Sequence, residues 1–228
     1  TPTGAGVLVL LSCLLSFSCL FLFHPSFTFL DTLFFKIILI SAPLCIIGFL
    51  DDYKNINQKF RYLIQLLTAI FLLKNSNLSN INFIDFSPLG VLILLVILIA
   101  ITGLINFINF MDGIDGLVVG SFAVIFFALT IKFNMIFIVI TSILILFLKW
   151  NWNPAQLFIG DAGSTFIGAI YAGVILSSYD YLESLSILLM SMPLIMDATF
   201  CLVWRFFKGF NIFDPHNMHL YQRLVKAG

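Results

Sequence analysis

Adjacent aspartates stand at the end of an apolar stretch of this sequence, where they could share a cation. Asp51 and Asp52 directly follow a run of mostly apolar residues. Two neighbouring carboxylates repel each other, so they need a bound cation or a nearby base to stay ionised. The alternative is structural: a solvated helix end in which Lys54 and Lys59 neutralise the pair. We take Asp51 and Asp52 as candidate catalytic residues.

A second polar block follows a longer apolar run, in the segment from Asn106 to Gly116. Polar side chains recur in it every three residues, a spacing that keeps neighbours close on a helix. Four such groups at the edge of an apolar run are costly unless they share a task. An ordinary helix cap is the structural alternative, but a cap needs one such residue. The candidates are two substrate-binding amides and two catalytic carboxylates: Asn106, Asn109, Asp112 and Asp115.

The third motif places Asp161 between two glycines just before an apolar run, in Gly160-Asp161-Ala162-Gly163-Ser164. Free backbone N–H groups at a helix start favour phosphate. A carboxylate beside them disfavours phosphate unless a cation joins the two, and Mg²⁺ binds in this way with one or two carboxylates plus phosphate oxygens. Asp161 is therefore the candidate metal ligand, with Gly160, Gly163 and Ser164 as candidate phosphate-binding residues. Helix capping by Asp161 or Ser164 is the structural alternative.

Further polar residues follow the aspartate pair and lie near the end of the chain. Arg61 and Gln65 share one face of the helix that follows the aspartate pair, at positions i and i+4. Near the end of the chain, His216, His219 and Arg223 form a basic group suited to diphosphate oxygens. A structural histidine pair, or a weak transition-metal site lacking a third ligand, are the alternatives.

One further aspartate, Asp197, lies inside the last apolar run. An ionisable residue within a membrane span is a functional candidate by default. An ion pair with Arg205 is the structural alternative.

The elements that must position these residues are membrane helices. Of the 228 residues, 61% are hydrophobic and 10% are charged, whereas soluble domains have roughly 25% charged residues. The sequence predicts an all-α, polytopic membrane protein with about eight transmembrane helices. We expect residues 1–228 to form a single transmembrane domain. The four cysteines lack the CxxC spacing of a zinc or redox site. The predicted spans are 6–23, 33–50, 60–73, 88–105, 117–131, 134–150, 164–179 and 185–204.

Charge distribution predicts which side of the membrane carries the motifs. Eight spans put both chain ends on one side, and eight Lys and Arg residues lie on or beside that side against three on the other. The positive-inside rule makes the richer side cytoplasmic. Seven of the eleven acidic residues fall on the same side, from five separate segments. The formal net charge of zero gives no indication of a nucleic-acid partner.

Carboxylates, a magnesium-type motif, phosphate-binding glycines and basic groups together indicate phosphoryl transfer at a membrane face. The acceptor would be a lipid phosphate and the donor a soluble nucleotide. Two other classes remain as alternatives. An intramembrane aspartyl protease would need a dyad such as Asp161 and Asp180, which the predicted topology places on opposite faces. A cation transporter would need acids at several membrane depths.

The ordered set of motifs resembles the polyprenyl-phosphate N-acetylhexosamine-1-phosphate transferases of glycosyltransferase family 4. The resemblance rests on an opening Thr-Pro-x-Gly-x-Gly, the Asp-Asp pair, Asn-x-x-Asn-x-x-Asp-Gly-x-Asp-Gly, Pro-Ala-x-x-Phe-x-Gly-Asp-x-Gly-Ser, Pro193 with Asp197, and the terminal His-x-x-His-x-Tyr-Gln-Arg-Leu. It implies transfer of a sugar 1-phosphate from a UDP-sugar to polyprenyl (undecaprenyl) phosphate with release of UMP. The terminal motif is most similar to the branch that initiates O-antigen synthesis; a role in cell-wall glycan synthesis is the alternative.

The resemblance also implies roles for individual residues. Asp161 matches the family's Mg²⁺ ligand, with Mn²⁺ as an alternative metal. Asp51 and Asp52 match the pair beside the lipid phosphate, with Asp51 as candidate base. The block around Asn109, Asp112 and Asp115 matches the nucleotide and metal site, and the histidine motif lies near the donor phosphates.

The resemblance extends to location and assembly. Relatives carry further spans before and after the matched motifs, so it implies a chain truncated at both ends from a protein of 10–11 helices. It also implies a multi-pass protein of the inner (plasma) membrane, with a cytoplasmic active site and a homodimer as one assembly to consider.

Overall fold

The computed structural model describes residues 2–23, 29–77 and 87–209, and these residues contain helices and turns but no strand. The all-α prediction is confirmed over this part of the chain. Its helices are α1 (Gly6–Phe23), α2 (Phe29–Lys54), α3 (Gln58–Lys74), α4 (Pro88–Phe110), α5 (Leu117–Lys132), α6 (Ile138–Asn151), α7 (Gly160–Leu176), α8 (Tyr181–Met190) and α9 (Met192–Phe207), with a 3-10 turn at Met135–Phe137 before α6.

Local sequence explains where several helices begin. The Asn57 side chain accepts a hydrogen bond from Lys59 N (3.0 Å) at the start of α3. Ser87 accepts one from Gly90 N (3.1 Å) at the start of α4, with proline at the first helical position, where its missing N–H costs nothing. The last predicted span, 185–204, is instead two helices that meet at Ser191 with a bend of 71°. Pro193 in the first turn of α9 explains the break, because proline disfavours helical backbone before it.

Helix α7 forms the centre of the bundle and contacts α1, α2, α3, α4 and α8. All its residues from Ala162 to Val174 are buried. Tyr171 is fully buried, stacks edge-on against Phe122 at 5.2 Å between ring centroids, and donates its hydroxyl hydrogen bond to Ile187 O in α8. The surrounding helices are therefore packed around a largely buried α7.

The outward faces of the bundle are apolar. Leu15, Phe21 and Ile131, for example, are 67%, 66% and 72% exposed. Water would make so large an apolar surface unfavourable, whereas hydrocarbon accommodates it. Among the described residues, α1, α4 and residues 31–54 of α2 are long and apolar enough to cross a membrane, and the bent α8–α9 pair qualifies as a fourth span. The chain is thus a multi-pass membrane protein, and the count of eight spans stays a prediction.

Candidate active site

A single arginine joins two of the predicted aspartates. Asp51 lies in the last turn of α2, and its Oδ1 accepts a hydrogen bond from Ile56 N (2.5 Å). Its Oδ2 pairs with Nη1 of Arg61, in the first turn of α3. The same nitrogen lies 2.7 Å from Oδ2 of Asp161, in the first turn of α7. Three helices are therefore connected through one guanidinium group.

The second aspartate of the pair caps the start of α7. Asp52 Oδ1 accepts a hydrogen bond from Asp161 N (3.3 Å), and Oδ2 accepts one from Ala162 N (3.5 Å). A carboxylate here satisfies N–H groups that have no helical partner and interacts favourably with the helix dipole. Gly160 precedes them with φ +67°, and a Cβ there would lie 2.5 Å from Asp52 Oδ2. Glycine is thus required for the carboxylate to approach this closely.

Asp112 lies in the turn between α4 and α5, and its carboxylate accepts a hydrogen bond from the backbone N–H of Gly160. The pKa of Asp112 is raised from 3.8 to about 7, mainly by burial and in addition by the negative charges of Asp161 and Asp52, while the hydrogen bond from Gly160 opposes the shift. Removal from water and neighbouring carboxylates both disfavour the ionised form. Three carboxylates from α2, the α4–α5 turn and α7 therefore act on one another electrostatically.

The two amides of the polar block make different contacts. Asn109 Oδ1 accepts a hydrogen bond from the fully buried Ser164 (2.5 Å), so these two predicted substrate-binding residues lie together. Asn106 instead exchanges two amide hydrogen bonds with the buried Gln65, at 3.1 and 3.0 Å, and also donates to Thr102 O (2.9 Å). The described side-chain contact of Asn106 is therefore with Gln65 of α3 and not with Ser164.

Asp51, Asp52, Asp112 and Asp161 are called the bridged carboxylates below, and the described hydrogen bond of Asp115 is not to any of them. Its Oδ2 accepts a hydrogen bond from Ala155 N (2.8 Å), in the loop between α6 and α7. The buried Asn151 holds the same loop, since it accepts from Gly116 N (3.2 Å) and donates to Leu157 O (2.9 Å). Asp115 thus helps to hold the loop that leads into Gly160, and its predicted catalytic role stays a prediction.

The opening residues of the chain pack against the same loop. Phe158 N donates to Pro2 O (3.0 Å), and Gly6 N donates to Ile159 O (3.0 Å). Gly163, predicted to bind phosphate, is buried against Gly6, and a Cβ on Gly163 would lie 2.9 Å from the Gly6 Cα. Close helix packing accounts for this glycine, and its binding role is not tested by the structure.

The donor set suits a divalent cation that is also held by a substrate. In the described contacts Arg61 pairs with Asp51 and Asp161, whereas Asp52 and Asp112 accept backbone hydrogen bonds at the start of α7. A bound cation would favour the ionised form of all four carboxylates. Within residues 2–23, 29–77 and 87–209, no three His, Cys, Asp or Glu side chains are arranged to hold a metal by themselves. Mg²⁺ takes only one or two carboxylates where substrate phosphates supply other ligands, so the residues present fit it.

Some predictions lie outside the described residues or stay open. His216, His219 and Arg223 lie outside them. Asp197 is half-buried in α9, five residues into the helix, and makes none of the described contacts with the bridged carboxylates.

Sequence reasoning gave Arg61 and Gln65 no role, although both contact predicted site residues. Their i, i+4 spacing on the helix after the aspartate pair was the available signal.

Comparison with known proteins now decides the family. Residues 34–179, more than half of the chain, match the family described as Glycosyl transferase family 4. The chain belongs to glycosyl transferase family 4. All the bridged carboxylates and the polar block lie inside the family match, and the terminal histidine motif lies beyond it.

One relative within this comparison is the probable undecaprenyl-phosphate N-acetylglucosaminyl 1-phosphate transferase of Bacillus subtilis (strain 168). It is 33% identical to this family member over 88 residues, which cover 36% of this chain and 24% of the relative. The match thus spans about a quarter of the relative's length.

Proposed function

We propose that this chain carries the active site of an enzyme that transfers a sugar 1-phosphate from a UDP-sugar to polyprenyl phosphate, releasing UMP. The observation that carries the proposal is the meeting of Asp51, Asp52, Asp112 and Asp161 at the start of α7, on an otherwise apolar bundle. Family membership supports it, and the similarity to an undecaprenyl-phosphate N-acetylglucosaminyl 1-phosphate transferase supports the acceptor class.

Asp161 is proposed to hold Mg²⁺, with Mn²⁺ as an alternative, and Asp112 lies near enough to act on it electrostatically. When bound, the metal would neutralise the donor diphosphate and stabilise the leaving nucleoside monophosphate. The N–H groups of Gly160, Asp161 and Ala162 already donate to Asp112 and Asp52. The diphosphate would therefore be bound through the cation rather than directly by the helix start.

Asp51 and Asp52 are proposed to lie beside the acceptor phosphate, at the end of the membrane helix α2. A phosphate monoester with a second pKa near 6 is largely ionised at neutral pH. Asp51 would therefore orient the phosphate oxygen, since little proton abstraction is needed. Asn109 and Ser164, with Asn106 behind them, would line the donor side. The group His216, His219 and Arg223 would contact the donor phosphates.

An N-acetylhexosamine donor, a role in O-antigen or cell-wall glycan synthesis, and a cytoplasmic active site at the inner membrane belong to the same proposal. A homodimer is one assembly to test. The protease alternative is not supported, because Asp161 and Asp180 flank opposite ends of α7, whose 17 residues extend about 25 Å. The transporter alternative has no support from the family match.

The test uses the full-length protein, undecaprenyl phosphate and a panel of UDP-sugars, with UMP release measured with and without Mg²⁺. Asp161→Asn should abolish release while membrane insertion stays intact. Asp180→Asn is the matched control, because it removes the same charge from an exposed position at the other end of α7 and should retain activity. No UMP from the unsubstituted protein with any donor rejects the proposal.

Sidedness is tested separately by cysteine labelling in intact cells. Tyr53 and Trp152 are exposed at the end of the bundle that carries the carboxylates, and Met135 and Tyr179 are exposed at the other end. Cysteines at the first pair should be protected from an impermeant reagent, and cysteines at the second pair should react. The reverse pattern would place the site outside the cytoplasm.

A further inference from the structure

Arg61 occupies one of the two carboxylate oxygens of Asp161, the proposed metal ligand. Its Nη1 lies 2.7 Å from Oδ2 of Asp161, the proposed Mg²⁺ ligand, while the same nitrogen pairs with Asp51. Mg²⁺ binds oxygen ligands at about 2.0–2.1 Å and demands near-octahedral geometry. A guanidinium nitrogen on the same oxygen would stand within a few ångströms of the ion, where two cations repel strongly.

The surroundings of Arg61 allow the contact with Asp161 to open. The Arg61 and Asp161 side chains are 28% and 33% exposed, whereas Asp51 is only 12% exposed. Asp51 is also held by Ile56 N at 2.5 Å. Asp161 is thus the more exposed of the two carboxylates that pair with Arg61. Arg61 can therefore break its contact with Asp161 while its ion pair with Asp51 remains.

We infer that Arg61 is a positioning residue that holds the site together without metal and releases Asp161 when a divalent cation binds. The inference rests on the proposed Mg²⁺ site at Asp161. The guanidinium stands in for the metal by joining Asp51 in α2 to Asp161 in α7. After release it remains beside Asp51, where the acceptor phosphate is proposed to lie, and can donate to phosphate oxygens. Metal binding and acceptor binding are thereby linked through one side chain.

Metal affinity measured without substrates gives the first test. If the Arg61–Asp161 contact must open before Mg²⁺ can bind, the apparent Mg²⁺ affinity is reduced by the equilibrium constant that favours the closed contact. Titration of the full-length protein with MgCl₂ in a calorimeter should therefore give about tenfold tighter binding for Arg61→Gln than for the unsubstituted protein. Without metal, Arg61→Gln should have a lower Tm, and saturating Mg²⁺ should restore it.

Lys59→Gln is the matched control. Lys59 is exposed, lies two residues earlier and carries the same charge. Within the described part of the chain its hydrogen bond is that of its backbone N to Asn57, at the start of α3. Its Mg²⁺ affinity should stay within about twofold of the unsubstituted protein, because exposed charges are screened by salt. Equal affinities for Arg61→Gln and the unsubstituted protein, or weaker binding by Arg61→Gln, would overturn the inference. Absence of Mg²⁺ binding by the unsubstituted protein would overturn it as well.

The second test needs no substitution and is therefore independent of how the variant folds. Phenylglyoxal modifies accessible arginines, and mass spectrometry follows each site. Modification of Arg61 should become severalfold faster when Mg²⁺ is added, while Arg205, which is 4% exposed in α9, should not change. An unchanged rate at Arg61 would mean a permanent ion pair and would refute the release. UMP release is measured separately, so a release of Arg61 without transfer would reject the proposed function alone.

Discussion

Gly48→Ala is the substitution that most directly tests how the site is assembled. Gly48 lies in α2, one turn before Asp52, and faces the start of α7. A Cβ at residue 48 would lie 2.5 Å from Ala162 N and 2.5 Å from the Asp161 carbonyl carbon. Both atoms belong to the backbone, so no side-chain rotation can relieve the overlap.

The size of the effect follows from these distances. Restoring ordinary van der Waals contact requires α2 and α7 to separate by about 1 Å. The hydrogen bonds from Asp161 N and Ala162 N to Asp52 are 3.3 and 3.5 Å long, so this shift would break them. Overpacking of this kind costs about 1–3 kcal/mol of stability. A displacement of about 1 Å at an active site can reduce the rate by about 10²-fold.

The assay compares UMP release and Tm of Gly48→Ala with those of Gly103→Ala in the full-length protein. Gly103 lies in α4, and a Cβ there would meet nothing within 4 Å among the described atoms. Gly103→Ala should keep full activity and a Tm equal to or above that of the unsubstituted protein, since alanine favours helix. If Gly48→Ala retained activity within about twofold, the close α2–α7 contact would not be what positions Asp52, and the reasoning would be refuted.

The contacts of Asp112, Asp115 and Gln65 affect both activity and stability. Asp112→Asn should reduce the rate of UMP release by about 10²-fold or more. Asp115→Asn should reduce it by less than about tenfold, because an asparagine oxygen can still accept the hydrogen bond from Ala155 N. Equal losses in the two variants would contradict this prediction. The Tm of the metal-free protein in EDTA should fall as the pH rises from about 5 through about 7, and should level off only above about 8. Asp112 has a pKa of about 7 in the folded protein against 3.8 in the unfolded chain, so between these values it keeps its proton only in the folded state. An unaltered slope in Asp112→Asn would assign the effect to another group. Gln65→Leu should lower the free energy of unfolding by about 1–3 kcal/mol, since it removes the described donor to Asn106 Oδ1 while the Asn106 amide nitrogen keeps Thr102 O. An unchanged denaturation midpoint would show that water replaces the glutamine.

Continuous apolar runs predicted most helices well, but the prediction failed where a single proline interrupts a run. Runs at 6–23 and 117–131 correspond closely to α1 and α5. The run at 185–204 is broken at Ser191, because a hydrophobicity pattern does not register the backbone restriction imposed by Pro193. Helix α7 begins at Gly160 rather than 164, since Asp52 of another helix caps its first turn. Such a cap cannot be found from local sequence.

The sequence predicted which segments contribute to the candidate site, but it did not predict which side chains contact each other there. Motif spacing identified Asp51, Asp52, Asp112 and Asp161, and the structure brings their segments together. It could not separate Asp115, which repeats the same spacing yet contacts the α6–α7 loop. Nor could it rank Arg61 above other basic residues, since its two partners lie 10 and 100 positions away in the chain.

The sequence by itself determined that this family member lies in a membrane and which polar motifs lie at the ends of its helices. Composition decides the first, because charged and apolar groups partition between water and hydrocarbon whatever the fold. Only the tertiary structure decided that Arg61 joins α2 to α7, that Asp52 caps α7, and that Gly48 permits both. These contacts depend on helix–helix distances of a few ångströms, which arise from packing of residues far apart in the chain and leave no periodic pattern along it.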